Sequence, residues 1–128
     1  MTGATGYLGR RLVTRLVLRA HNLKSLVRET SSVRVPGLKV VGDATDAGTF
    51  ASSVPPADTF VHLAGVRRPK PWQKKRFRET DLGSVQASIA AATAAGIKHF
   101  VYVSVAHPAP IMRAYVSVRV ECERLLEQ

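Results

Sequence analysis

Three glycines at intervals of three residues, Gly3, Gly6 and Gly9, stand in the run Thr2-Gly3-Ala4-Thr5-Gly6-Tyr7-Leu8-Gly9, immediately before the first amphipathic stretch of the chain. In that stretch Leu8, Leu12, Val13, Leu16, Val17 and Ala20 recur at helical spacings, while Arg11, Arg15 and Arg19 fall on the opposite side. A glycine-rich turn feeding directly into a helix restricts the fold sharply. The first glycine permits a tight turn out of a strand, the second lets backbone amides approach a diphosphate, and the third lets the helix pack closely on a sheet. A turn that only joins strand to helix would satisfy the same spacing, so the pattern takes its weight from the residues after it.

Those residues alternate between two patterns. Apolar runs rich in Val, Leu and Phe occur at Lys24–Val27, Leu38–Val41, Thr59–Leu63 and Phe100–Val105, each bounded by Gly, Pro, Asp or Ser. Between and after them lie two further helical stripes: Leu82, Val85, Ile89 and Ala92, closed by Gly96, and Val118, Cys122, Leu125 and Leu126. The intervening loops are placed at residues 31–37, 52–56, 66–71 and 106–111. Short, nearly continuous apolar strands alternating with helices imply a parallel sheet covered on both faces, because parallel strands need crossover connections. The expected fold class is α/β, a Rossmann-like doubly wound parallel sheet. The 128 residues, 45% of them hydrophobic, suffice for one core and so one domain over residues 1–128.

Composition removes several function classes. The single cysteine, Cys122, leaves no partner for an intramolecular disulfide, and His21, His62, His99 and His107 lack metal-ligand spacing, so no metal site is expected. No apolar run approaches the roughly 18 residues of a membrane span. No basic region and apolar leader follow Met1, which makes the cytoplasm the expected location. Nineteen Lys and Arg against nine Asp and Glu give a formal charge of +10 and point to an anionic partner.

These residues carry a resemblance. The run from Thr2 through Val13 is similar to the cofactor loop of the short-chain dehydrogenase/reductase superfamily, in its extended or atypical branch of NAD(P)-binding, epimerase-like proteins. Gly42-Asp43-Ala44-Thr45-Asp46 resembles the segment after the third strand, where Asp43 and Ala44 would lie beside the adenine. Val61-His62-Leu63-Ala64-Gly65 resembles the end of the fourth strand, whose Leu63, Ala64 and Gly65 would pass along the cofactor, and Ala95 through Ser104 is similar to the run into the fifth strand. The similarity spans nearly the whole chain. It implies that a dinucleotide lies across Gly3, Thr5, Gly6, Tyr7, Leu8 and Gly9.

The cofactor is indicated by the end of the second strand, where an acid favours NAD and an arginine accommodates the 2′-phosphate of NADP. Arg28 stands there, so NADP is expected ahead of NAD. The resemblance also implies a tyrosine acid/base with a cation four residues later and a serine after the fifth strand. Tyr115, Arg119 and Ser104 take those places, all three at the nicotinamide end. Arg119 stands where the family pattern has lysine, and a neighbouring cation is expected to lower a tyrosine pKa towards neutrality. His107 is an alternative donor, although it reads as an exposed loop residue ahead of Pro108. His62, Tyr102 and Cys122 read as packing residues.

The run Val66 to Arg78 holds seven cations with Trp72 and Phe77, a composition that could grip a phosphate backbone and stack bases. Its position beside the cofactor loop and ahead of a helix ranks nucleic-acid binding below a solvated rim. Only Met1 and Thr2 precede Gly3, and the chain stops after Gln128, so the first strand and the C-terminal substrate region are both expected to be largely missing. Three functions are compatible: part of an oxidoreductase or epimerase/dehydratase-like protein acting on a small carbonyl or sugar-nucleotide substrate; a non-catalytic NADP-binding redox-sensing or regulatory module; and, third, a basic nucleic-acid-binding protein. Self-association is compatible with each, and a membrane partner with none.

Overall fold

The computed structural model describes residues 1–106 and 110–127. Helix α1 (Tyr7–Leu18) is followed by strands β1 (Lys24–Val27) and β2 (Leu38–Val41), 3-10 turns at Ala47–Thr49 and Ala51–Ser53, and strand β3 (Thr59–His62). A short helix α2 (Lys74–Arg76) continues through a π-helical segment (Phe77–Leu82) into α3 (Gly83–Ala94). Strand β4 (His99–Tyr102), a 3-10 turn at Pro110–Met112 and helix α4 (Arg113–Leu126) complete the order. Among the described residues no helix is long and apolar enough to cross a membrane.

The strands pair in parallel, β1 with β2 from Lys24↔Leu38 to Val27↔Val41, and β3 with β4 from Thr59↔His99 to His62↔Tyr102. Met1 and Thr2 join the two pairs. The Leu26 amide donates to the Met1 carbonyl at 2.9 Å, the Thr2 amide donates to the Val61 carbonyl at 2.9 Å, and Thr2 bridges His62 in parallel. The order is therefore β2, β1, Met1–Thr2, β3, β4. This is the expected α/β Rossmann-like architecture, with its central position reduced to two residues. Ser25, Leu26 and Val27 are buried in succession, as a strand covered on both faces requires.

Two apolar clusters hold the layers. Leu26, Phe50 and Phe60 pack with Ala87, Ala91 and Ala92 of α3, and Phe60 stacks on Phe100 with ring centroids 5.2 Å apart. The second cluster seats α4 against the π segment and α3 through Phe77, Leu82, Val85, Val118 and Cys122, which makes Cys122 the small core residue expected of it. His62 is fully buried, as a packing residue should be. Its Nδ1 lies 3.1 Å from the Thr2 hydroxyl and 2.9 Å from that of Ser88, and its Nε2 lies 3.4 Å from that of Ser84. Burial first, and then the Arg119 guanidinium, push its pKa down to about 4.

Two expectations are corrected in detail. The third and fourth strands end at His62 and Tyr102, short of Leu63 and Val105. Beyond those points the chain makes other contacts: the Leu63 carbonyl lies against Gly3, and the Val103 carbonyl accepts from Arg119. The basic run enters its helix at Lys74. Lys74, Lys75 and Arg76 are helical, and Phe77 is wholly buried, with its ring centroid 5.0 Å from that of Tyr115. Trp72 alone of its two aromatics is exposed, which removes half of the stacking surface that nucleic-acid binding would use.

Candidate functional site

Because every strand runs the same way, the residues that come after each strand collect on one edge of the sheet. That edge is where ligands of open α/β sheets bind. It gathers the Gly3–Gly9 turn after Thr2, Arg28 after β1, Asp43 and Ala44 after β2, Leu63 to Val66 after β3, and Ser104 after β4.

In the glycine turn the outer glycines are required sterically. Gly3 has φ +70°, and a β-carbon there would lie 2.5 Å from the Leu63 carbonyl carbon, while one on Gly9 would collide with the Gly3 carbonyl oxygen. A β-carbon on Gly6 would meet only that same oxygen, at 3.3 Å. The space at Gly6 therefore belongs to whatever approaches the turn from outside. Gly6 caps α1 without a side chain, and the first backbone bond of the helix runs from the Arg10 amide to the Gly6 carbonyl at 3.0 Å. The amides of Tyr7 and Leu8 precede that bond, and the first turn carries no acid. This is the donor set that an anionic diphosphate fits. Thr5 is partly covered, while Tyr7 and Leu8 are exposed beside the turn, with the Arg11 guanidinium 3.8 Å above the Tyr7 ring.

Arg28 is exposed at the same edge. Asp43 is oriented by its own loop, its Oδ1 accepting from the Thr45 amide and hydroxyl, each at 2.8 Å. Those two bonds, and then Arg28, hold its carboxyl below the ordinary range despite slight desolvation. A basic and an acidic side chain thus lie close enough on this edge to interact electrostatically.

The tyrosine end departs from expectation. Arg119 is buried, donating through Nη1 to Asp81 Oδ1 at 3.3 Å and through Nη2 to the Val103 carbonyl at 2.9 Å. Its guanidinium lies over two rings, 5.0 Å from the Tyr102 centroid and 5.4 Å from that of Tyr115. The cation is adjacent to Tyr115, as the four-residue spacing implies, but it faces the ring. Burial consequently outweighs the charge, and the Tyr115 pKa is raised from its ordinary value, which corrects the expected depression. Ser104 is also differently engaged: its hydroxyl donates to the Glu123 carboxylate on α4, so it is directed into the protein. His107 lies outside the described residues.

Asp81 is the residue that sequence reasoning missed. It lies in the π segment, completely buried, and accepts from the Val66 amide at 3.3 Å as well as from Arg119. Burial raises its carboxyl pKa, and Arg119 opposes that rise. The pair joins the strand-end loop at Val66, the end of β4, the π segment and α4. The signal open to sequence reading was its helical phase, since Asp81 shares a face with Ser84, Val85 and Ser88, all buried.

Comparison with known proteins agrees with this geometry. The profile of the family described as NAD(P)H-binding matches residues 3–117. The chain is 33% identical over 113 residues to a 3 beta-hydroxysteroid dehydrogenase/Delta 5-->4-isomerase of Mycobacterium tuberculosis, a match covering 81% of this chain and 30% of that protein. In structure it is similar to the Bordetella bronchiseptica enzyme WbmH in complex with NAD+, with TM-score 0.76 and 21% identity over 98% of this chain and 50% of that one. It is also similar to a UDP-N-acetylglucosamine 4-epimerase from Bacillus cereus, with TM-score 0.76 and 19% identity over 97% of this chain and 45% of that one. The chain thus spans half or less of the length of these proteins. It belongs to the NAD(P)H-binding family.

Proposed function

We propose that the chain is the NADP-binding, proton-donating part of an oxidoreductase acting on a small carbonyl or sugar-nucleotide substrate. The observation that carries this reading is the uncapped, acid-free first turn of α1, set at the carboxyl edge of the sheet with Arg28 beside it. The amides of that turn hold the diphosphate, with Gly6 leaving room for it. Arg28 takes the 2′-phosphate through two parallel hydrogen bonds, and the backbone from Leu63 to Gly65 lies along the dinucleotide. When bound, the nicotinamide group supplies or accepts hydride. Tyr115 holds the proton at Oη: its raised pKa keeps the phenol protonated at neutral pH, suiting it to give a proton to a reduced carbonyl oxygen. Arg119 is its positioning residue and, as the nearby cation, stabilises the phenolate left behind. The relatives named for a hydroxysteroid and for a sugar nucleotide bracket the substrate class.

The Ser104 hydroxyl turned to Glu123 favours a second reading, a non-catalytic NADP-binding module. Turnover separates the two. In a form carrying the complete first strand and substrate region, NADPH oxidation against a panel of carbonyl and sugar-nucleotide compounds is expected, and Tyr115→Phe should lower it by about 10²–10⁴-fold with unchanged cofactor affinity. Saturable NADPH binding without oxidation across the panel decides for the module.

A further inference from the structure

The buried pair of Asp81 and Arg119 stands between the backbone strip proposed to lie along the cofactor and the proposed proton donor, and it adjoins both. On one side the Val66 amide donates to the two Asp81 carboxylate oxygens, at 3.4 Å and 3.3 Å. Gly65 packs so closely on that carboxylate that a β-carbon there would lie 2.7 Å from Asp81 Oδ1 and 3.6 Å from Arg119 Nη1. On the other side the guanidinium lies 5.4 Å from the centre of the Tyr115 ring, and Phe77 of the π segment packs on the same ring with centroids 5.0 Å apart.

Few bonds hold the cation in this place. Arg119 donates through Nη1 to Asp81 and through Nη2 to the Val103 carbonyl, while its buried Nε has no hydrogen-bond partner among the described residues. Of the two acceptors only Asp81 carries charge. The titratable groups around Tyr115 are Arg119 and Cys122 of α4, Asp81 of the π segment and Tyr102 of β4, which shares the Arg119 guanidinium. Burial keeps the Cys122 thiol and the Tyr102 phenol protonated, which leaves Arg119 and Asp81 as the charges that act on Tyr115. In a buried site such charges act with little screening. An unopposed guanidinium there favours the phenolate, and a carboxylate beside it offsets that pull.

We propose that Asp81 is a positioning residue for the proton step: it pins Arg119 over the Tyr115 ring, offsets the charge that the phenol meets, and ties that setting to the Gly65 and Val66 backbone. The proposal rests on the reading of Tyr115 as the proton donor. In the proton step the Tyr115 Oη–H bond breaks, an O–H bond forms on the reduced carbonyl oxygen, and the phenolate remains beside Arg119. Asp81 delays the break until negative charge has gathered on the substrate oxygen. In agreement, burial raises the Tyr115 pKa, Arg119 opposes the rise and Asp81 supports it.

Titration of tyrosinate absorbance tests it, each protein being compared with its own Tyr115→Phe counterpart so that the difference reports this phenol alone. In the native chain Tyr115 should stay protonated beyond about pH 10. Asp81→Asn keeps an acceptor for the Val66 amide and removes the charge, so its Tyr115 should ionise below about pH 10, with acidity at least about tenfold above native. Gly65→Ala, which displaces the carboxylate without removing it, should shift the phenol the same way by a smaller amount, and it carries the test where Asp81→Asn does not fold. Asp81→Leu combined with Arg119→Met removes both charges and should leave the phenol in the native range. Unchanged ionisation of Tyr115 in folded Asp81→Asn, or in Gly65→Ala where only that variant folds, overturns the proposal. So does an equal fall in the doubly substituted protein, which would make lost packing the cause. These titrations do not read turnover: a native protein without turnover counts against Tyr115 as the proton donor, and the titrations judge Asp81 separately.

Discussion

Arg28 and His62 show how one side chain acts through its surroundings. Arg28 stands exposed at the strand end, within reach of Asp43 electrostatically, and its planar fork matches a phosphate as lysine cannot. Arg28→Ala should weaken NADP by about 1.5–3 kcal/mol, the range of hydrogen bonds to charged groups, and leave NAD nearly unchanged. Dissociation constants for the two nucleotides in both proteins check this, and an unchanged ratio would make Arg28 a surface charge only. His62 is the opposite case, a buried group working on stability. Its pKa falls from 6.5 to about 4 on folding, so the native state favours the neutral ring. The resulting stabilisation is complete above about pH 6.5 and is lost as pH falls towards 4; at about 1.36 kcal/mol per unit it amounts to about 3 kcal/mol. Urea unfolding across that window should show this slope in the native protein and a flatter one in His62→Gln.

At the scale of elements, the Asp81–Arg119 pair fastens pieces that are distant in the chain. Arg119 and Asp81 are both buried, so replacing Arg119 alone leaves a carboxylate without its counter-charge. Arg119→Met should destabilise the fold by about 3–5 kcal/mol, and Asp81→Leu added to it should recover most of that loss, a comparison that denaturant unfolding reads directly. Equal stability of Arg119→Met and the native chain would remove the pair from this role. These elements also mark where sequence reading succeeds. The strands Lys24–Val27 and Leu38–Val41 were legible to the residue, because turn formers bound both apolar runs. The glycine spacing likewise placed the turn before α1. Asp81 was hidden because an acid beside a basic run reads as solvated, and only the π segment turns it inwards. The engagement of Ser104 by Glu123 joins residues 19 apart across a loop and α4, which no local pattern encodes. The raised pKa of Tyr115 was hidden for a similar reason: spacing places the cation nearby, while tertiary packing, with Phe77 against the ring, determines how deeply the phenol is buried.

At the scale of the whole molecule, the parallel strands bring every strand end to one edge of the sheet. The carboxyl edge has helix amides and Arg28, and the chain's formal charge of +10 favours an anionic partner. Among the described residues the β1–β2 and β3–β4 pairs are joined through Met1 and Thr2. Cofactor binding at the carboxyl edge is the central claim, and Gly6 is its most direct probe, since a β-carbon there meets only the Gly3 carbonyl oxygen, at 3.3 Å, and otherwise points into the ligand's space. Titration of the native chain and Gly6→Val with NADPH, monitored by protein fluorescence, should give saturable one-site binding in the first and none in the second, with matching far-ultraviolet circular dichroism. Equal NADPH affinity in the two proteins would contradict a dinucleotide at the α1 turn.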